Sequence, residues 1–120
     1  KAEEKYPEVE KKPEITIDDF DKVQIQVGEV IKCEPVPKAK KLLVSQIKIG
    51  AETRQIVSGI AKYYKPEEMV GKKVAVITNL KPCKLCGVES QGMILAAGDD
   101  EGNLSVVTVD KDIVSGSEIC

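Results

Sequence analysis

The stretch that decides how this chain folds is Lys73-Val74-Ala75-Val76-Ile77-Thr78-Asn79-Leu80-Lys81-Pro82-Cys83-Lys84-Leu85-Cys86-Gly87-Val88-Glu89-Ser90-Gln91-Gly92-Met93-Ile94-Leu95-Ala96-Ala97. An apolar β-branched run, Lys73 to Ile77, leads into a polar and basic connection. A second apolar run, Gly92 to Ala97, follows and is closed by Gly98-Asp99-Asp100. Short apolar runs bounded by turn residues read as buried strands, so the connection is a basic loop anchored at both ends. Pro82 fixes its own φ and biases Lys81 toward an extended conformation, while Gly87 and Gly92 permit a tight turn or a close approach. Lys81 and Lys84 therefore project from a stiff support.

Upstream, Val23 to Ile31 alternates apolar and polar residues and reads as a half-buried strand with Val23, Ile25 and Val27 inward. Gly28 breaks the alternation, which a bulge or a barrel corner would explain. Cys33 to Lys41 holds Pro35, Pro37, Lys38, Lys40 and Lys41, a second stiff basic loop and a second candidate contact patch. Leu42 to Ile49 is the next strand, Gly50 to Glu52 a turn, and Thr53 to Gly59 a third strand carrying Arg54, the only arginine. Pro66 to Val70 places a proline and two carboxylates in a first helical turn that Gly71 stops. Tyr63 and Tyr64 precede it, suited either to packing on a barrel or to stacking on a base or ribose.

Downstream, Gly98 to Asn103 reads as a hairpin turn, Leu104 to Val109 as the closing strand, and Asp110 to Cys120 as a tail rich in Ser, Gly and acids. Near the start, Thr16-Ile17-Asp18-Asp19-Phe20 predicts a capped turn that begins at Thr16 and seats Phe20 against the core. Residues 1–14, rich in Lys, Glu and Pro, read as a charged flexible linker. Residues 15–120 are then the domain. These short strands, with one short helix between the third and fourth, predict an all-β fold: a five-stranded closed barrel of the oligonucleotide-binding type with a C-terminal extension.

A length of 120 residues supports one core, and 42% hydrophobic with 32% charged residues is ordinary for a soluble chain. No apolar run approaches the ~20 residues that span a bilayer, so no membrane association is expected. The chain opens on Lys1 with charged residues and no apolar core of a signal peptide, so a fragment or processed chain is expected. Cys33, Cys83, Cys86 and Cys120 are spread over a domain that needs no disulfide framework, so a reducing cytoplasm is expected. There is no histidine, which removes the usual general base and the commonest metal ligand. No catalytic residue, metal or cofactor is assigned.

The net charge of −2 conceals a blocked distribution. Residues 1–21 carry four Lys against eight acids. Residues 22–87 carry thirteen Lys and Arg against five acids, and residues 88–120 carry one Lys against seven. A basic middle with acidic ends suits a polyanion-binding face on an otherwise soluble body.

Several ordered blocks together resemble one family, the tRNA-binding domain found as a free-standing dimer and appended to the C-terminus of bacterial methionyl-tRNA synthetases. The residues that carry the resemblance are Asp19-Phe20 with Lys22-Val23 and Val27-Gly28, and Lys41-Leu42 after a Pro-x-Ala loop. With them go Arg54-Gln55-Ile56-Val57-Ser58-Gly59-Ile60-Ala61, and Asn79-Leu80-Lys81-Pro82 through Gly87-Val88-Glu89-Ser90-Gln91-Gly92-Met93. The resemblance implies an oligonucleotide-binding barrel, a homodimer formed with help from the C-terminal extension, and tRNA bound by shape and backbone with little sequence discrimination. It ties Asn79, Lys81, Lys84, Ser90 and Met93 to the binding surface, with Arg54 in a matching block. Lys38, Lys40 and Lys41 form the second basic patch, and Lys40 departs from the family's frequent Asp.

The preferred expectation is a non-catalytic module of a methionine-tRNA ligase, with the synthetase body in cis. The alternatives are a free-standing tRNA-binding protein and a chaperone-like dimeric module. A third reading, redox or zinc chemistry at Cys83-x-x-Cys86, lacks both a thioredoxin-like context and nearby partners in sequence.

Overall fold

In the computed structural model, which describes residues 6–120, one long strand organises the sheet: β1, Ile25–Val36. Residues 1–5 of the expected linker lie outside the described residues. The first half of β1 pairs antiparallel with β4 (Lys73–Ile77), in register from Ile25 opposite Ile77 to Glu29 opposite Lys73. Its second half pairs with β2 (Ala39–Ile49), which continues through a two-residue turn into β3 (Glu52–Ser58). Gly50 occupies that turn at φ 66, a conformation that only glycine adopts at no steric cost. β7 (Met93–Ile94) lies beside β4, so the hydrogen-bonded path is β3-β2-β1-β4-β7. The two ends of that path meet where the Gln91 amide, just before β7, donates to Gln55 O of β3 at 2.7 Å. Five strands thereby close into the expected small barrel.

The barrel is filled from every strand. Val27 and Val30 of β1, Leu43, Ile47 and Ile49 of β2, Ile56 of β3, Val74 and Val76 of β4 and Ile94 of β7 are all buried. The short helix α2 (Pro66–Met69) sits between β3 and β4 as the sequence predicts, and drives Met69 into the core. Tyr64 packs against that core, and its hydroxyl accepts from the Val106 amide at 3.0 Å, so for this ring the packing alternative holds. Ser45 is the polar residue at the centre. Its hydroxyl donates to the Cys33 thiol at 3.4 Å, and burial pushes that thiol's pKa up.

Three small elements complete the chain. A hairpin joins β5 (Cys83–Leu85) to β6 (Val88–Ser90), and a second joins β8 (Ala96–Gly98) to β9 (Leu104–Val106). β10 (Glu118–Ile119) returns to the beginning of β1, with Ile119 opposite Ile25 and Glu118 opposite Gln26. The end of the acidic tail is therefore part of the sheet. Gly116 packs so tightly on the β2–β3 turn that an added Cβ would lie 2.9 Å from Gly50 Cα. Among the described residues, no helix is long and apolar enough to cross a membrane.

The structure departs from the sequence reading in the following places and in the β4–β7 connection described below. The expected basic loop at Cys33 to Lys41 is mostly strand. β1 runs through Pro35 to Val36, and only Pro37 and Lys38 turn the chain. Proline is tolerated there because the pairing slips between Pro35 and Val36. Gly28 is not a bulge, since its ladder with β4 is unbroken; the bulge lies one turn of pleat later, between Val30 and Lys32. What demands glycine is packing, because a Cβ at 28 would lie 2.5 Å from Ile47 Cγ2. Val23 precedes the strand and is exposed. Phe20, on α1 (Ile17–Phe20), is 38% exposed rather than seated in the core, although the predicted capping box between Thr16 and Asp19 is present.

Candidate nucleic-acid interface

The segment between β4 and β7 is a hairpin stitched to its neighbours rather than a loop stiffened by proline. Cys83 pairs with Ser90, Lys84 with Glu89 and Leu85 with Val88, and Cys86 and Gly87 turn the chain at φ 50 and φ 80. A two-residue turn with both φ positive matches the twist of the strands it joins, which fixes the register. Alternation then places Lys84 and Leu85 on opposite faces of the hairpin.

The entrance and exit of the segment are each held. At the entrance, the Thr78 amide donates to Gln24 O at 2.9 Å, and the Thr78 hydroxyl donates to Gln26 Oε1 at 2.8 Å. Asn79 accepts from the Gln24 amide at 2.9 Å and donates through Nδ2 to Lys22 O at 2.7 Å. At the exit, Ser90 is buried; its hydroxyl accepts from the Val57 amide at 2.9 Å and donates to Gly92 O at 3.0 Å. Gln55 adds two bonds, its amide to Gln91 Oε1 at 3.0 Å and its Nε2 to Glu89 O at 2.9 Å. Gly92, at φ 154, lets the backbone pass where a Cβ would lie 2.9 Å from Ile77 O.

Arg54 joins the two ends. Its Nη1 donates to Thr78 O and, at 3.3 Å, to Gln91 O, while its Nε lies 3.3 Å from Glu52 Oε1. The guanidinium is thus turned inward, and only 22% of the side chain is exposed.

These contacts divide the residues that the sequence singles out. Asn79 and Ser90 spend their side-chain polar atoms on backbone groups of the domain, and Arg54 on two backbone carbonyls and the Glu52 carboxylate. Lys81 and Lys84 are exposed, as are Lys38 in the β1–β2 turn and Lys40 and Lys41 at the start of β2. None of these five lysines has an acidic partner within 4.0 Å among the described residues, whereas Lys22, Lys32 and Lys73 each have one. Met93 is 44% exposed at the foot of the hairpin, with Leu80 and Leu85 also exposed nearby in the chain. The structure gathers Asn79, Lys81, Lys84, Ser90, Met93 and Arg54 on one hairpin and its supports. Lys38, Lys40 and Lys41 form a second group at the far end of β1. Gln55 and Gln91 were missed by sequence reasoning, because nothing in hydropathy or spacing marks a glutamine whose partner lies across a barrel seam.

The Cys-x-x-Cys stands outside this arrangement. Both thiols are exposed, but Cys83 begins an extended strand and Cys86 lies in its turn. Three residues of strand separate their Cα atoms by roughly 10 Å, beyond the ~7 Å limit for a disulfide. Among the described residues no group of three or more Cys, Asp and Glu is placed to hold a metal ion.

Comparison with known proteins places this geometry. The family described as "Putative tRNA binding domain" matches residues 25–118, from the first residue of β1 to the first of β10. The methionine–tRNA ligase of Methanocaldococcus jannaschii is 61% identical over 110 residues, which are 92% of this chain and 17% of that protein. The chain therefore spans about a sixth of that relative's length. A MetRS-related protein from Pyrococcus horikoshii superposes with a TM-score of 0.86 at 38% identity, covering 91% of this chain and 100% of the other. A CsaA chaperone from Bacillus anthracis shares the fold, with a TM-score of 0.81 at 21% identity over 90% of this chain and 100% of its own. Because the family match takes in the barrel strands, the stitched hairpin and the returning C-terminal strand, this chain belongs to the tRNA-binding domain family.

Proposed function

We propose that this chain is a tRNA-binding and dimerisation module, the C-terminal domain of a methionyl-tRNA synthetase, and that it lends tRNA affinity to the catalytic body in cis while performing no chemistry itself. The observation that carries the reading is the hairpin between β4 and β7. It presents Lys81 and Lys84 to solvent with no ion pair within 4.0 Å among the described residues, on a backbone already fixed at both ends. Lysines on a preorganised support contact phosphates at little ordering cost, and each neutralised phosphate releases counterions. Lys38, Lys40 and Lys41 extend the contact. Asn79, Ser90 and Arg54 serve the surface by holding it, and Met93 offers an apolar contact. With 3% aromatic residues, charge and shape outweigh base stacking, so discrimination among tRNA sequences is small.

Residues 1–14 act as the tether and residues 15–120 as the domain, in a cytoplasmic enzyme. Dimerisation uses the exposed apolar residues at both ends of the domain: Ile17, Phe20 and Val23 ahead of β1, and Ile113 and Val114 ahead of β10, which pairs with the start of β1. Such a concentration of exposed aliphatic side chains is characteristic of a subunit interface. The same residues would serve a free-standing or chaperone-like dimer, the alternative reading. A binding isotherm with unfractionated tRNA over a salt series tests the proposal: salt-dependent binding supports it, and no binding at low salt favours the chaperone-like module.

A further inference from the structure

We infer that Arg54 is a positioning residue for the RNA-binding hairpin, acting through two backbone carbonyls rather than on the RNA itself. The inference rests on the reading of the hairpin as the tRNA contact. Arg54 carries the one guanidinium of the chain, and its Nη1 bridges Thr78 O, where the hairpin segment leaves β4, and Gln91 O, where the segment returns toward β7. Both bonds leave the same nitrogen, Nη1, whose two N–H directions are fixed by the guanidinium plane while Nε is engaged by Glu52; a rotating ammonium has no such plane. Because Arg54 lies in β3, directly opposite Ile47 of β2, the clamp is fixed to the closed barrel and not to a mobile neighbour. Glu52 sits 3.3 Å from Nε, so part of the positive charge is already balanced.

What the clamp supplies is population. Lys81 and Lys84 contact phosphates together only while the hairpin keeps its docked geometry. If the docked fraction falls, the apparent affinity falls by that same fraction, with the number of phosphates contacted in the bound state unchanged. A direct phosphate contact behaves differently, since losing it removes a released counterion and lowers the salt slope by about one.

The experiment uses Arg54→Ala and Arg54→Lys in the intact chain. Hydrogen exchange of the hairpin amides from Lys84 to Glu89 is followed in the absence of RNA, and tRNA binding is measured over a salt series. The expected result is that hairpin exchange accelerates by about tenfold or more while amides of the barrel core, such as Val30 and Ile47, keep their protection. Affinity should fall by about three- to tenfold with the salt slope unchanged, and Lys should restore only part of the loss. Wild-type hairpin protection in both variants, or full rescue by Lys with a slope lowered by about one in Ala, would overturn the inference. If Arg54→Ala fails to fold, the Lys variant carries the same comparison. If the wild-type chain binds no tRNA, the functional reading fails, and the exchange data still decide whether Arg54 holds the hairpin.

Discussion

Gln55 and Gln91 hold each other across the seam of the barrel: the Gln91 amide donates to Gln55 O at 2.7 Å, and the Gln55 amide donates to the Gln91 side chain at 3.0 Å. A side-chain carbonyl thus takes the place of the backbone acceptor that a continued ladder would have supplied. Edge strands present unpaired amides, and closing them is what separates a barrel from an open sheet. Here the closure also roots the basic hairpin, so the hairpin and the barrel seam are one construction.

The paired substitution Lys81→Ala and Lys84→Ala should weaken tRNA binding by ~1 to 3 kcal/mol and reduce the salt slope by about two phosphate equivalents, without changing the melting temperature appreciably. Filter binding at several salt concentrations measures both quantities. An unchanged slope would remove the hairpin from the contact surface.

Ser90→Ala should act on stability rather than on the contact. The hydroxyl is buried and is the acceptor for the Val57 amide, so its removal strands a buried donor and costs ~1 to 3 kcal/mol. Urea denaturation checks this, and at temperatures where the variant is folded its salt slope should match the wild type. A full loss of RNA binding with unaltered stability would restore Ser90 to the list of direct contacts.

Gly28→Ala tests the packing explanation for that glycine. A methyl group there lies 2.5 Å from Ile47 Cγ2 and 3.1 Å from Val76 Cγ2, so overpacking should cost ~1 to 3 kcal/mol in a thermal melt. In a double-mutant cycle with Ile47→Ala, which removes Cγ2, the two losses should sum to less than additively. If Gly28→Ala melts as the wild type does, the close approach is not a constraint.

The β8–β9 turn should lose order in acid. The Asp99 carboxylate accepts from the Asn103 side chain, the Asn103 amide and the Glu101 amide, and these bonds hold its pKa below the usual carboxylate range. A depressed folded-state pKa contributes stability that is fully present above the unfolded value, about 4, and is lost as pH falls through the lower folded value. Amide shifts of Glu101 and Asn103 followed by NMR should therefore titrate below the normal aspartate midpoint, and Asp99→Asn should abolish that transition. A normal midpoint would mean that the turn does not depend on the charge.

The strands near the hairpin were legible because β4 is a continuous apolar run and its alternatives fail on length. The helix at Pro66 was legible from its own proline and acids. The extent of β1 was not, because Pro35 reads as a break in sequence but falls at a slip in pairing, where its missing amide does no harm. The site divided in the same way. Exposed lysines announce themselves by composition, whereas the assignment of Arg54 and Ser90 to the support depends on an acceptor carbonyl 24 residues from Arg54 and a donor amide 33 residues from Ser90. No local pattern encodes where an amide or carbonyl from another strand will arrive.

The return of β10 to the beginning of β1 has a consequence for assembly in time. The strand made first among the barrel strands acquires one of its partners from the far end of the sequence, and contacts of such long sequence separation form late. During synthesis on a ribosome, the edge of β1 at Ile25 and Gln26 stays open until Glu118 and Ile119 have emerged. An unpaired edge is a template for pairing with other chains. A polypeptide that lacks Glu118 and Ile119 would therefore be hazardous rather than merely shorter, able to recruit a neighbour's strand into the place that β10 should fill.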